Sequence, residues 1–230
     1  MSTLKQVEYA GKMYPVRFVQ TPNWSFTGMS KKGLVWHATT SNSFEGALSW
    51  LTNPSSGVSA LALIGREVGE IAILGLVNQK LWHAGKVFEP HARFKAIAEK
   101  GDMNGSGSYV NPNLYLDGVE FAGGVDTDKS GKVEHDEIEL TEWQYHVATQ
   151  VANWHAIECG YELTEETQVI HQDIASYKPD LTYVLDEIKF RLFKKSKQDA
   201  KDCKQLQEKI ETQDTIISLL LKIISLIFKK

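Results

Sequence analysis

Apolar residues recur along the chain in short blocks separated by turn-forming residues, and the blocks follow two different periods. GLVWHATT (33–40) is a compact apolar run of strand length, and SALALIGREVGEIAILGLV (59–77) reads as two strands joined by a turn between Gly65 and Gly69, a hairpin by pattern. LYLDGVEFAGG (114–124) is a further strand block closed by a glycine pair, and VIHQD places another strand ending at His171. Helical spacing governs the rest. FEGALSWL (44–51) is a short helix whose end is signalled by Asn53 and Pro54. TEWQ (141–144) fits a capping box, with Thr141 as N-cap and Gln144 three residues on. Trp143, Val147, Val151 and Trp154 then recur at helical spacing, which predicts a helix over 142–158. LTYVLDEIKFRLFKK (181–195) is a last helix of the body, packed through Val184, Ile188 and Leu192 or Phe193. The alternation predicts an α/β fold, a central mixed β-sheet flanked by helices.

The final stretch, QLQEKIETQDTIISLLLKIISLIFKK, has a different character. From Thr215 to Phe228 its apolar run is shorter than the ~20 residues that span a bilayer. Glu211, Asp214, Ser218, Lys222, Ser225 and Lys229 form a polar stripe at intervals of three or four residues, so the segment is an amphipathic C-terminal helix. Three placements fit it: an anionic membrane interface, self-association in a bundle of several chains, or packing against its own domain. Charge marks the boundary. From Lys194 onward nine lysines face five acidic residues, whereas the rest of the chain carries −8. We therefore divide the chain into a main domain, 1–195, and a lysine-rich helix, 196–230.

With 230 residues, 42% of them hydrophobic and 23% charged, the chain can build one full core plus an appendage. No basic stripe with interleaved aromatics occurs in the body, which argues against nucleic acid as a partner. Two cysteines, Cys159 and Cys203, are too few for a disulfide framework and point to a reducing compartment of synthesis. MSTLKQVEYAGKMYPVRF is interrupted by polar residues throughout and lacks the pattern of a signal peptide. The expectation is a protein made in the cytoplasm without the general export route.

Of seven histidines, His91, His135, His146 and His155 sit in polar surroundings or on the expected outer face of the capped helix, where a structural or surface role is the ordinary reading. His37 and His171 differ. Each ends an apolar strand-like run, where a side chain projects from a rigid sheet edge into a cleft, and rigid placement is what a metal site needs. Two imidazoles and one carboxylate bind zinc tetrahedrally with a position left for water. Asp180 is the nearest candidate carboxylate.

The stretches VWHAT (35–39), LWHAG (81–85), NLYLDGVEFAG (113–123) and VIHQDIASYKPD (169–180) occur in the order seen in type 2 N-acetylmuramoyl-L-alanine amidases. Over about residues 30–193 the chain resembles that family of zinc-dependent peptidoglycan amidases, which share a fold with peptidoglycan recognition proteins. The resemblance implies that His37, His171 and Asp180 are the zinc ligands. It implies a catalytic lysine at Lys178, in the Lys-x-Asp pattern, and a catalytic glutamate at Glu120, in DGVEF. It also implies that Trp82 and His83, in the Trp-His-Ala-Gly motif, line the substrate groove. In two places the chain departs from the family. VSALALI (58–64) has Leu61 and Ala62 where a His and Tyr pair often stands, which removes a tyrosine from the reaction and shifts its burden to Glu120. KPDL lacks the Asp-Pro-Gly that usually follows the lysine, which alters the loop around Asp180.

Zinc so held lowers the pKa of its water toward about 7. The implied reaction is attack of that water on the lactoyl carbonyl joining N-acetylmuramic acid to L-alanine, with Glu120 as general base and then acid, and with Lys178 steadying the oxyanion. DTDKSGKVEHDE (126–137) matches a calcium loop at Asp126, Asp128, Ser130, Lys132 and Glu137, with Gly131 at the turn. A plain surface turn is the other reading, because the block before it is a strand where that motif expects a helix. The resemblance and the tail together imply a phage endolysin that acts on bacterial peptidoglycan after release from the host cytoplasm. The alternatives are a non-catalytic peptidoglycan-binding module and a secreted antibacterial amidase effector.

Overall fold

Short aliphatic blocks build a six-stranded sheet, and longer amphipathic segments cover its two faces. The computed structural model describes residues 3–39, 41, 43–101, 109–123, 126–127, 133–134, 139–178 and 181–195. It divides into two units, Met1–Lys189 and Phe190–Lys230. In the second unit Phe190–Lys195 form a short π-helical segment. The predicted tail helix, 196–230, lies outside the described residues.

In chain order the strands of the first unit are β1 (Gln6–Tyr9), β2 (Lys12–Pro15), β3 (Arg17–Phe18), β4 (Trp24–Ser25), β5 (Leu34–Ala38), β6 (Ala62–Ile64), β7 (Ile71–Ile73), β8 (Lys80–Leu81), β9 (Asp117–Phe121), β10 (Asp126–Thr127), β11 (Val133–Glu134) and β12 (Gln168–Ile170). The helices are α1 (Phe44–Leu51), α2 (Ala92–Ile97), α3 (Glu142–Cys159), α4 (His171–Ile174) and α5 (Thr182–Lys189). The main sheet has the order β12-β5-β9-β6-β7-β3. β12, β5, β9 and β6 run parallel, whereas β7 returns antiparallel to β6 and pairs in parallel with β3. The sheet is therefore mixed and flanked by helices, as the pattern predicts. The blocks at 34–38, 44–51 and 62–73 fold as read, and so does the helix from Glu142.

One face of the sheet carries Val35, Val169, Leu63 and Ala72. The first two join Phe94 of α2 in one core cluster, and the last two join α1 through Phe44, Ala47, Leu48 and Leu51 in another. The opposite face carries Trp36, Val119, Phe121, Ile64 and Ile73, all fully buried, on the side where α3 packs on β6 and α5 on β12. The capping box of α3 forms as predicted, with Thr141 accepting from the Gln144 amide, and Gly160 in the left-handed conformation at φ 70° closes the helix.

Several features depart from the sequence reading. The strand expected over 114–124 is confined to Asp117–Phe121, because Pro112 opens a 3-10 turn over Pro112–Leu114. The N-terminal hairpin of β1 and β2 is not apparent in the hydropathy pattern. Its two-residue turn has Ala10 and Gly11 both at positive φ, 50° and 77°, as a type I′ turn requires. Its Tyr9 pairs edge-on with Trp143 of α3, and Tyr14 of β2 packs edge-on against the same ring. His155, expected on the outer face of its helix, is fully buried instead.

The reason for that burial is a polar network beneath the sheet. Lys31 Nζ and Asp117 Oδ1 approach to 2.8 Å with both side chains fully buried. This contact is an ion pair rather than a well-aligned hydrogen bond, since Oδ1 has no hydrogen-bond partner by geometry. Asp117 Oδ2 lies 3.0 Å from His155 Nε2, and His155 Nδ1 lies 2.9 Å from the Tyr161 hydroxyl. Lys31 Nζ also donates to the Asn113 and Leu116 carbonyls, at 2.9 and 3.1 Å. Burial by itself would raise the Asp117 carboxyl, but the Lys31 charge and the His155 hydrogen bond outweigh it and hold the group below its ordinary value.

Removing one partner of such a pair leaves an uncompensated buried charge, which costs about 3–5 kcal/mol. Lys31→Met is therefore expected to lower the unfolding free energy of the folded domain by that amount, seen as a fall in the urea midpoint with little change in slope. The Asp117 carboxylate contributes stability above its unfolded pKa of about 4, and the contribution fades as pH falls below that value. The acid limb of the stability curve should shrink in the same variant. An unchanged midpoint would mean that the pair is not structural.

Candidate active site

In open sheets with parallel strands, ligands bind at the carboxyl ends of the strands. Three adjacent parallel strands, β12, β5 and β9, end here side by side. His37 is the fourth residue of β5 and pairs in register with Glu120 of β9. His171 is the residue immediately after β12, where it opens the short helix α4 rather than ending the strand. Strand alternation turns His37, Gly118 and Glu120 to one face of the sheet, between the cluster under α1 and the cluster under α2.

The structure brings four of the expected residues together. The rings of His37 and His171 lie 4.5 Å apart between centroids, at 68°. His37 Nδ1 is 3.9 Å from Glu120 Oε1. The fourth residue is His83, 8% exposed, whose Nδ1 meets His37 Nε2 at 3.2 Å and whose Nε2 meets the Leu116 carbonyl at 3.1 Å. Trp82 beside it is 36% exposed; its amide donates to Ser59 Oγ at 2.7 Å and its indole Nε1 to Ser25 Oγ at 3.3 Å. Of this Trp-His pair, the open apolar surface belongs to the tryptophan.

Burial dominates the electrostatics. It pushes the Glu120 carboxyl up to about 7, against the opposing charge of Lys178. It lowers His83 to about 4, with Asp117 opposing and Lys31 adding to the shift. Burial and the Lys178 charge lower His171 to about 3, with a smaller contribution from His83. His37 is held well below its usual range by burial first, then by His171, His83 and Lys178. All three imidazoles are thus neutral at pH 7, the state in which an imidazole can donate a lone pair to a metal. Lys178 sits close enough for its charge to act on His37, His171 and Glu120, and its Nζ lies 5.3 Å from the Tyr177 ring centre.

His171 Nε2 is buried and has no hydrogen-bond partner. An orphaned buried polar atom of this kind costs roughly 1–3 kcal/mol, and a cation at the site would satisfy the histidine. The donor set therefore fits a zinc ion. Among the described residues no three His, Cys, Asp or Glu side chains are arranged to hold a metal. Asp180, the third expected ligand, lies outside the described residues. Leu61 and Ala62, standing where the family often has a His and Tyr pair, are fully buried and bring no titratable group to the site.

The suspected calcium loop is described only in part. Asp126 and Thr127 pair antiparallel with Val133 and Glu134 as a short ladder, while Asp128, Ser130, Lys132 and Glu137 lie outside the described residues. The Lys31, Asp117 and His155 network was not foreseen. Its signal was present in the sequence, since a lone aspartate at the head of an apolar strand block needs a buried partner.

The chain is similar to several known proteins. A family model described as N-acetylmuramoyl-L-alanine amidase matches residues 27–182. Among solved structures, the selenomethionine derivative of AmpD is 19% identical, with 74% of this chain and 91% of that chain covered and a TM-score of 0.49. A mutant endolysin from Bacillus subtilis is 17% identical over 77% of this chain and 99% of that chain, with a TM-score of 0.49. The amidase AmiD from E. coli, in complex with anhydro-N-acetylmuramic acid-L-Ala-D-gamma-Glu-L-Lys, is 21% identical over 80% of this chain and 65% of that chain, with a TM-score of 0.47. No curated protein matches the chain significantly.

Proposed function

The chain belongs to the N-acetylmuramoyl-L-alanine amidase family, and from that premise we propose that it is a zinc-dependent enzyme that cuts the amide bond between N-acetylmuramic acid and the L-alanine of the stem peptide. The observation that carries the reading is the meeting of two neutral imidazoles, His37 and His171, with a partly buried carboxyl, Glu120, at the carboxyl ends of three adjacent strands. His37, His171 and Asp180 would hold the zinc ion. Its chemistry there is Lewis acidity, which activates water near neutral pH and polarises the scissile carbonyl.

The chain's own groups carry the remaining steps. Glu120 takes a proton from the attacking water and returns it to the leaving amine nitrogen of L-alanine. A carboxyl near 7 is suited to both tasks at neutral pH. Lys178 stabilises the negative charge that develops on the carbonyl oxygen, a contribution of roughly 3–4 kcal/mol where one such donor is removed. Trp82 offers an apolar wall to the saccharide or stem peptide. A binding-only module would need none of this proton chemistry, and the retained glutamate and lysine favour the enzyme.

We read the protein as a phage endolysin, acting on the cell wall after release from the host cytoplasm. The basic amphipathic sequence of 196–230 would then serve an anionic membrane surface or self-association. A gene next door for a membrane-permeabilising protein would support this setting, and a secretion-machine cluster would mark an antibacterial effector instead.

Metal analysis tests the ligands first. His37→Ala, His171→Ala and Asp180→Ala should each lose most zinc and abolish hydrolysis of purified peptidoglycan while the far-ultraviolet dichroism is retained. Full zinc in His171→Ala would overturn the assignment.

Glu120→Ala separates catalysis from metal binding. The variant should keep its zinc and bind muropeptide, but turn over about 100-fold more slowly or worse, the scale of general acid–base loss. Hydrolysis at the wild-type rate would make Glu120 structural.

Deletion of 206–230 should leave hydrolysis of soluble muropeptide intact. A salt-sensitive loss of binding to anionic liposomes would mark a membrane role for the tail, and a fall in solution mass would mark self-association. Unfolding of the domain would show both readings of the tail to be wrong.

A further inference from the structure

The motif carrying Trp82 and His83 is expected to line the substrate groove, yet only the tryptophan is open to solvent. His83 is turned inward and uses both ring nitrogens within the protein: Nδ1 meets His37 Nε2 at 3.2 Å and Nε2 meets the Leu116 carbonyl at 3.1 Å. Its ring lies directly over Gly118 of β9. A Cβ built at Gly118 would fall 2.5 Å from His83 Cγ and 2.8 Å from its Nδ1, so only glycine admits the ring at this point of the strand. The ring is therefore fixed from below by backbone and from both ends by polar contacts.

These contacts determine where the protons sit. A carbonyl oxygen can only accept, so His83 Nε2 must carry a proton and donate it to Leu116. The same carbonyl also accepts from Lys31 Nζ at 3.1 Å, and the nearby Asp117 carboxylate is already paired with that ammonium at 2.8 Å, so it is not free to hold a second proton on the buried ring. His83 is therefore neutral, its Nδ1 holds a lone pair, and the proton in the 3.2 Å contact belongs to His37 Nε2. His37 Nδ1 is left bare, on the side where Glu120 Oε1 stands 3.9 Å away.

We propose that His83 is a positioning residue, which fixes His37 as the Nε2–H tautomer and so presents His37 Nδ1 as the nitrogen that ligates the metal. This rests on the zinc reading of the site. An imidazole ligand ordinarily donates its second N–H to a carboxylate, a carbonyl or water, which orients the ring and raises its basicity. Here another histidine takes that place and relays the contact to a main-chain carbonyl. Leu116 immediately precedes β9, so the relay ties the orientation of His37 to the strand that carries Glu120.

The decisive measurement uses the metal-free full-length protein, labelled with 15N at histidine. Long-range nitrogen–proton correlations at neutral pH should show the His37 proton on Nε2 and a bare Nδ1, with His83 also protonated on Nε2. A wild-type His37 protonated on Nδ1 would overturn the proposal without any variant being made. In His83→Leu the His37 ring should lose its single tautomer, and zinc affinity measured by chelator competition should fall about 10- to 100-fold. His83→Asn keeps an acceptor on Cγ at the position of Nδ1 and should recover most of that loss. Unchanged affinity in a folded His83→Leu would also overturn the proposal. If the wild type binds no zinc at all, the zinc reading fails separately, because the tautomer is read from the metal-free protein.

Discussion

A buried ammonium and a buried carboxylate, Lys31 and Asp117, hold the chain to one arrangement around the start of β9. Lys31 stands in the segment leading into β5, and Asp117 is the first residue of β9, opposite Leu34. Two unpaired charges at this depth would cost several kcal/mol each, so arrangements that separate them are strongly disfavoured. The pair thereby fixes the register of β5 against β9. Three residues further along, roughly 10 Å at strand rise, the same register sets His37 against Glu120. A slip of one residue would turn Glu120 to the opposite face, toward α3, and disperse the site.

The five residues of β9 show how closely scaffold and chemistry are interleaved. Asp117 answers Lys31 and His155 on the α3 side. Gly118 makes room for the His83 ring. Val119 is core, Glu120 faces His37, and Phe121 stacks on Trp36 with ring centres 5.6 Å apart and planes at 14°. Alternation by two sends the carboxylate of Asp117 to one face and that of Glu120 to the other, so one strand carries a structural acid and the acid proposed for the chemistry, with no direct contact between them.

Much of this could be read in the sequence. Strand blocks with abrupt boundaries, such as LVWHA, and a helix opened by a capping box gave reliable elements because local chemistry determines them. His37, Glu120, His171 and Lys178 could be named because each sits at the end of a recognisable block or in a motif that resembles the amidase family. The inward turn of His83 could not be read, since it depends on a glycine 35 residues away in the chain. The burial of His155 was missed for a related reason: its partner lies on a strand 38 residues earlier, and the helix face carrying it looks polar until that partner is placed. The N-terminal hairpin escaped notice because its hold on the domain is aromatic, Tyr9 and Tyr14 against Trp143, and leaves little periodic trace over so few residues.

The two polar clusters differ in how completely their groups are satisfied, and the difference accounts for their roles. Around Asp117 each charge has an opposite charge or a hydrogen bond at 2.8–3.1 Å, and the carboxyl is held below its ordinary value despite full burial. Around Glu120 burial outweighs the opposing charge of Lys178, the carboxyl rises to about 7, and His171 keeps a buried nitrogen with no partner. A satisfied network rigidifies its surroundings, whereas an incomplete one stores the free energy that a cation, a water or a substrate carbonyl can release on arrival. The hydrogen-bond path from Lys31 through the Leu116 carbonyl and His83 to His37 links the two. Through it the rigidity of the satisfied cluster is applied to the orientation of a ring in the unsatisfied one, so that the groups of the candidate site stay incompletely partnered without collapsing onto one another.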